Sequence, residues 1–269
     1  MKIICFKQSS LHYSLTAAIL LSLALPVLPG EAAVETISRW GRTSATDGDS
    51  IHVNINGWGG AANDPVNLTV GKDTTTQVTV DELNIGPYST TTVKGKDIEF
   101  TGYAGAGTGS ITIGDATATD SIHFAKGLYA YRSGWDYSLS GGTVTARSAG
   151  DITVDGGISA NNGSTLYLAG KDLTIAGKTF FQDGSSSLKG TDSVTLGTVG
   201  SGQHSLDISY EKKGSLYVGG EKAITTLNGS AHMTGSDRQG GTVTIDGRQV
   251  TLNSTTKPDD TWKNSQKAI

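Results

Sequence analysis

Gly163–Ile175 reads GSTLYLAGKDLTI, and its pattern decides the fold. Leu166, Leu168, Leu173 and Ile175 alternate with Tyr167 and Thr174 on either side of a Gly170-Lys171-Asp172 turn. Alternation over a few residues marks a half-buried strand, because successive side chains point to opposite faces. The segment predicts two short strands joined by a turn, with the four aliphatic side chains pointing one way and Tyr167 and Thr174 pointing out.

The same grammar recurs in both directions. Upstream stand Ser89–Phe100 (STTTVKGKDIEF) and Gly141–Val154 (GGTVTARSAGDITV), with a looser copy at Thr108–Phe124 (TGSITIGDATATDSIHF). Downstream stand Gly184–Leu196 (GSSSLKGTDSVTL), Gly214–Leu227 (GSLYVGGEKAITTL) and Gly240–Leu252 (GGTVTIDGRQVTL). The second strand of each copy begins at Ile98, Ile122, Ile152, Leu173, Val194, Ile224 and Val250, at spacings of 24, 30, 21, 21, 30 and 26 residues. A period in the low twenties with loop insertions predicts an all-β fold, a right-handed parallel β-helix (β-solenoid) in which each coil stacks on the one before. Roughly ten coils about 4.8 Å apart give a rod roughly 50 Å long. An antiparallel sandwich or barrel also has short strands and Gly-rich turns. The opening Gly-Gly or Gly-Ser weighs against it, because it keeps its place relative to both strands through most of the chain. No segment after the N-terminus sustains apolar residues at helical spacing, and Gly and β-branched residues interrupt every candidate.

The N-terminus reads as a secretory signal. Lys2 and Lys7 supply its positive start, Leu15–Leu28 its apolar run, and Gly30 and Ala32 the small residues before a cleavage site. Pro26 interrupts the run, which is short for a membrane span. Cleavage is expected after Ala32, with Ala33 as the alternative. The organisation that follows is a signal peptide at 1–32, an N-terminal cap and first coils at 33–85, repeats at 86–254, and a polar tail or truncation point at 255–269. Trp40 and Trp58 are the residues expected to cap the first coil, since a solenoid must cover its open end.

Composition narrows the function classes. The only cysteine, Cys5, lies inside the signal, so the mature chain has neither disulfide nor thiolate metal site. Gly accounts for 37 of 269 residues, about twice the usual share, as frequent turning requires. The net charge is −4, and −5 without Lys2, Lys7 and Glu31. Nothing basic clusters, so nucleic acid is not an expected partner.

The units GSTLYLAGKDLTI and GGTVTARSAGDITVDGGISA resemble the passenger regions of bacterial autotransporters and of filamentous-haemagglutinin-like adhesins. The resemblance covers roughly residues 75–252. It implies a virulence-associated adhesin or structural rod, exported through the inner membrane and displayed at the outer-membrane cell surface or released outside the cell. A periplasmic home is implied if no translocator serves it. Implied partners are host-surface or cell-surface glycans or proteins, and an outer-membrane translocator in cis or in trans. Autotransporters carry a β-barrel translocator after the passenger. No such segment stands in this sequence, so the export route stays open.

Asp97, Asp151, Asp172 and Asp192 recur at matching places and suggest a stacked cation site, but Asp also caps turns, and Arg248-Gln249 stand at the last such place. Asp47-Gly48-Asp49 lacks the rest of a calcium loop. His52, His123, His204 and His232 have no metal-ligand spacing. Neither metal nor cofactor is expected. A polysaccharide lyase or hydrolase on the same fold is the alternative function; its nearest cluster is Asp136, Asp151 and Asp155 with Arg132 and Arg147. The expectation is no catalysis. Tyr129, Tyr131, Trp135 and Tyr137 read as a ligand-contact loop between two repeats, since exposed aromatics anchor ligands.

Overall fold

In the computed structural model of the chain, the residues described are 35–38, 49–58, 60–61, 64–132, 141–199, 204–235 and 241–253. All belong to one unit, Val34–Ile269; the other, Met1–Ala33, lies outside them, as do the signal and its cleavage site. Among the described residues there are eighteen strands and no helix. They run β1 (Glu35–Ser38), β2 (Ser50–Trp58), β3 (Val66–Val70), β4 (Gln77–Ile85), β5 (Ser89–Val93) and β6 (Asp97–Phe100). Next come β7 (Tyr103–Gly107), β8 (Ser110–Ile113), β9 (Ser121–Phe124), β10 (Gly127–Tyr131), β11 (Thr143–Arg147) and β12 (Asp151–Val154). The last are β13 (Ile158–Ala160), β14 (Thr165–Ile175), β15 (Thr179–Leu196), β16 (His204–Asn228), β17 (Ser230–Gly235) and β18 (Thr242–Asn253).

Every pairing between these strands is parallel, and each strand pairs with one a full coil away. The registers define three faces. On face 1 the row is Ile51, Val78, Ile98, Ile122, Ile152, Leu173, Val194, Thr225, Val250. Face 2 carries Leu83, Ala104, Leu128, Ile158, Thr179, Leu206, Ala231. Face 3 carries Val70, Val93, Ile113, Ala146, Leu168, Leu188, Val218, Ile245. The chain visits faces 1, 2 and 3 in that order and climbs one rung. The fold is a parallel β-solenoid of about seven turns. The nine residues of the face-1 row span eight spacings of about 4.8 Å, a described rod of roughly 38 Å, with inter-coil hydrogen bonds along its axis. That is shorter than the ten coils expected, because several coils are long: Ile111 and Val144 are successive on face 3 yet 33 residues apart.

The alternation predicted for Gly163–Ile175 is seen. Leu166, Leu168, Leu173 and Ile175 are buried and Tyr167 is exposed. Inward residues of successive coils stack into one core, in which the Phe100 and Phe124 rings lie 4.7 Å apart and 17° from parallel. Burying each such ring stabilises the fold by about 1.5–3 kcal/mol. Buried hydroxyls fill the corner between faces 3 and 1 and hold successive coils together. Thr119 Oγ1 donates to the Gly95 carbonyl at 2.8 Å, and Ser148 Oγ to the Thr119 carbonyl at 3.0 Å.

Two expectations are corrected. Each coil has three strands rather than two; the third, on face 2, is short and built of small residues, such as Ile158-Ser159-Ala160. Ile224 does not continue the inward row. Thr225 pairs with both Val194 and Val250 while Ile224 is 36% exposed. The Thr225 hydroxyl donates to the Asp246 carbonyl of the next coil at 2.6 Å, which satisfies it inside the core. Trp58 ends β2, in register with Ile85, and Trp40 lies outside the described residues.

Candidate functional site: an aromatic cleft on face 2

Outward positions on faces 1 and 3 are mostly Thr, Ser, Asp and Gln, as on Thr90, Thr92, Thr112, Thr143 and Thr145. Face 2 differs. On β10, Leu128 and Ala130 point into the core, so Tyr129 and Tyr131 point out. Below them on β7, Gly105 is in register with Tyr129 and Gly107 with Tyr131. A methyl group on Gly105 would collide with the Tyr129 ring, and one on Gly107 would lie 2.7 Å from Tyr131 Cζ. The two tyrosines therefore lie down over the backbone of the preceding coil, where only glycine leaves room.

Tyr103, at the start of β7, extends the strip; its ring centroid is 6.2 Å from that of Tyr129, which is 5.6 Å from that of Tyr131. Such tilted contacts suit the charge distribution of aromatic rings. Tyr131 Oη donates to Asn84 Oδ1 at 3.3 Å. Burial holds both the Tyr129 and Tyr131 phenols above their ordinary range, so both remain neutral at pH 7.

Next to the tyrosines the surface drops into an open cleft of about 330 Å³. Gly127, Gly157 and Ser159 form its floor, and Tyr103, Tyr129 and Phe180 its walls. Ser159 is in register with both Tyr129 and Phe180, and Tyr103 stands one coil before Tyr129, so the cleft crosses four coils. Lys178 lines its edge and pairs with Asp207 on the next coil at 2.8 Å. His232, one coil further, meets the other Asp207 oxygen at 3.3 Å. Burial pushes the Asp207 carboxyl up, but the hydrogen bonds and charges of Lys178 and His232 outweigh it and hold the group below the usual carboxylate range.

Tyr129 and Tyr131 were expected in a loop; they stand on a strand, because the coil continues through β10. Trp135 and Tyr137 lie outside the described residues. Sequence reasoning missed Tyr103, Phe180 and Lys178, which come from other coils.

The other candidate clusters resolve into pairs between coils. In the acidic row, Asp97, Ser121 and Asp151 are successive in register. Ser121 Oγ donates to Asp97 at 2.7 Å, and Ser193 Oγ bonds to Asp172. Asp192 is displaced from the row by one residue and stands 3.8 Å from Lys171 Nζ. Among the described residues no three His, Cys, Asp or Glu side chains are grouped as a metal site would group them. His123 bonds Asp155 at 3.0 Å and His52 bonds Asp81 at 2.7 Å. Of the residues weighed for hydrolysis, Asp151 begins β12 on face 1, Arg147 ends β11 on face 3, and Arg132 follows β10; Asp136 lies outside the described residues.

The chain was compared with protein-family models, characterised proteins and solved structures, and none matched. Among the described residues no helix is long and apolar enough to cross a membrane.

Proposed function

We propose that this chain is an exported, surface-displayed rod whose face-2 aromatic cleft contacts glycans, and that it acts by adhesion rather than by catalysis. The observation that carries this reading is the glycine-floored cleft with its tyrosine strip. The exposed Tyr103 ring and the half-buried, mutually tilted Tyr129 and Tyr131 rings present apolar surface to the C–H side of a sugar, while their hydroxyls, Ser159 and Lys178 supply hydrogen bonds. The scaffold is preorganised, since the tyrosines are already seated on Gly105 and Gly107, so little ordering is left to oppose binding. The signal-like N-terminus, the absence of cysteine after Cys5 and the resemblance of the repeats to autotransporter and haemagglutinin-like passengers support export. The coil is right-handed, the hand that twisted strands favour for parallel crossovers.

A glycan array probed with the full chain and with Tyr103→Ala/Tyr129→Ala tests the site. Binding to one glycan class, lost in the double variant at unchanged melting temperature, supports the reading. Equal binding by both proteins removes the cleft from the function. New reducing ends or unsaturated sugars released from a polysaccharide would overturn the non-catalytic part in favour of a lyase or hydrolase.

A further inference from the structure

Two rows of residues run along face 2, across the strands and so parallel to the axis of the rod. Gly127 is in register with Tyr103, Leu128 with Ile158, and Ile158 with Thr179, so the first row is Tyr103, Gly127, Gly157, Lys178. The second row is Gly105, Tyr129, Ser159, Phe180. In the first, two residues without side chains stand between two long ones. In the second, Tyr129 and Phe180 stand on either side of Ser159. The cleft is therefore a trough whose long direction follows the rod, with the Tyr103 side chain at one end and the Lys178 side chain at the other. From Tyr103 to Lys178 is three coil spacings, about 14 Å. The bare floor is built in. A Cβ at Gly127 would stand 2.7 Å from the Gly157 carbonyl oxygen, and one at Gly157 2.6 Å from that of Lys178.

Length, step and charge select the ligand. An open trough that crosses four coils fits a chain of sugars better than a single one. Coils recur at about 4.8 Å, and an extended β-1,4-linked pyranose chain advances by close to that distance per sugar, so successive sugars keep step with successive coils. An α-1,4-linked chain winds into a helix and leaves the trough. Lys178 is the one charged residue among those that line the trough, and its ammonium is already paired with Asp207 at 2.8 Å. A charged ligand finds no free counter-ion there. The remaining ammonium protons and the Ser159 hydroxyl match the hydroxyls and ring oxygens of an uncharged sugar.

We propose, resting on the glycan reading of this cleft, that its ligand is the interior of an uncharged, extended β-1,4-linked polysaccharide that lies along the rod, with roughly three consecutive sugars between Tyr103 and Lys178.

Calorimetry of the full chain with defined oligosaccharides tests it. The probes are β-1,4-linked glucose, N-acetylglucosamine, mannose and xylose of one to five units, α-1,4-linked glucose of the same lengths, and α-1,4-linked galacturonate. In at least one β-linked series the affinity rises roughly tenfold or more from one sugar to three and then levels off. It does not change with salt. Ser159→Phe fills the trough between Tyr129 and Phe180 without touching an inward residue, and abolishes binding of the trimer at an unchanged melting temperature. Lys178→Met keeps the stem, removes the donors and weakens the same binding, which decides the matter should the first variant not fold. A single sugar that binds as tightly as the trimer overturns the proposal. So does an α-linked chain that binds as tightly as a β-linked one, a preference for galacturonate that salt weakens, a folded Ser159→Phe that binds like wild type, or the failure of every β-linked series to bind. The glycan reading survives those results if the array finds another glycan class whose binding Tyr103→Ala/Tyr129→Ala removes; it falls together with the proposal if no glycan binds.

Discussion

Tyr129 lies across Gly105, its partner in register on the preceding coil, at a separation that leaves no room for a side chain there. The tyrosine strip is therefore specified by glycines as much as by tyrosines. Gly105→Val should lift the Tyr129 ring off the sheet and spoil the wall it shares with Tyr103. The expected outcome is at least a tenfold loss of affinity for the glycan that the wild type selects, about 1.4 kcal/mol. Near-UV circular dichroism should change while far-UV circular dichroism is retained. Affinity measured by calorimetry against Tyr129→Ala checks it, since the two variants should lose the same contact.

Phe100 and Phe124 stack at the centre of the core. Phe124→Ala should cost about 3–5 kcal/mol, the transfer term plus the cavity left behind. Phe124→Leu should cost less, because much of the volume remains. Urea unfolding at constant slope measures both.

Thr225 and Ile224 offer a test of register. Thr225→Val keeps the shape but leaves the Asp246 carbonyl without its hydroxyl donor, and should destabilise by about 1 kcal/mol or more. Ile224→Thr changes an exposed side chain and should fall within about 0.5 kcal/mol of wild type. If the reverse order were found by thermal denaturation, the inward row would have to run through Ile224.

Asp207 makes stability depend on acid. Its carboxyl is held below the ordinary 3.8 by Lys178 and His232, which outweigh the effect of burial. A depressed carboxylate contributes stability that is fully present above the unfolded value and is lost as pH falls through the folded one. The loss contributed by this group therefore begins near pH 4 and continues below it. Asp207→Asn should lower the melting temperature at pH 7 and flatten its fall between pH 4 and pH 2 relative to wild type. Melting curves across that range decide the matter.

Where the sequence was read correctly, the information was local. Strict alternation in Leu166-Tyr167-Leu168 and Leu173-Thr174-Ile175 shows two faces of every coil, and the recurrence of that grammar shows the stacking. Face 2 escaped because Ala104-Gly105-Ala106 and Ile158-Ser159-Ala160 are short and small, and such runs look like turn residues until their pairing is known. Thr225 escaped because a buried hydroxyl is indistinguishable from an exposed one until its acceptor, 21 residues away, is placed. The cleft was half legible. Tyr129 and Tyr131 stood out as aromatics, but Tyr103, Phe180 and the glycine floor arrive from neighbouring coils, and only the register of the stack brings them together.

The hydrogen bonds between coils run along the rod. Tension applied along its axis would therefore load them in series and open them one rung at a time. A sideways load would instead spread across a whole rung of strands at once. The rod should thus yield gradually when stretched and resist when sheared, a mechanical anisotropy set by strand direction alone.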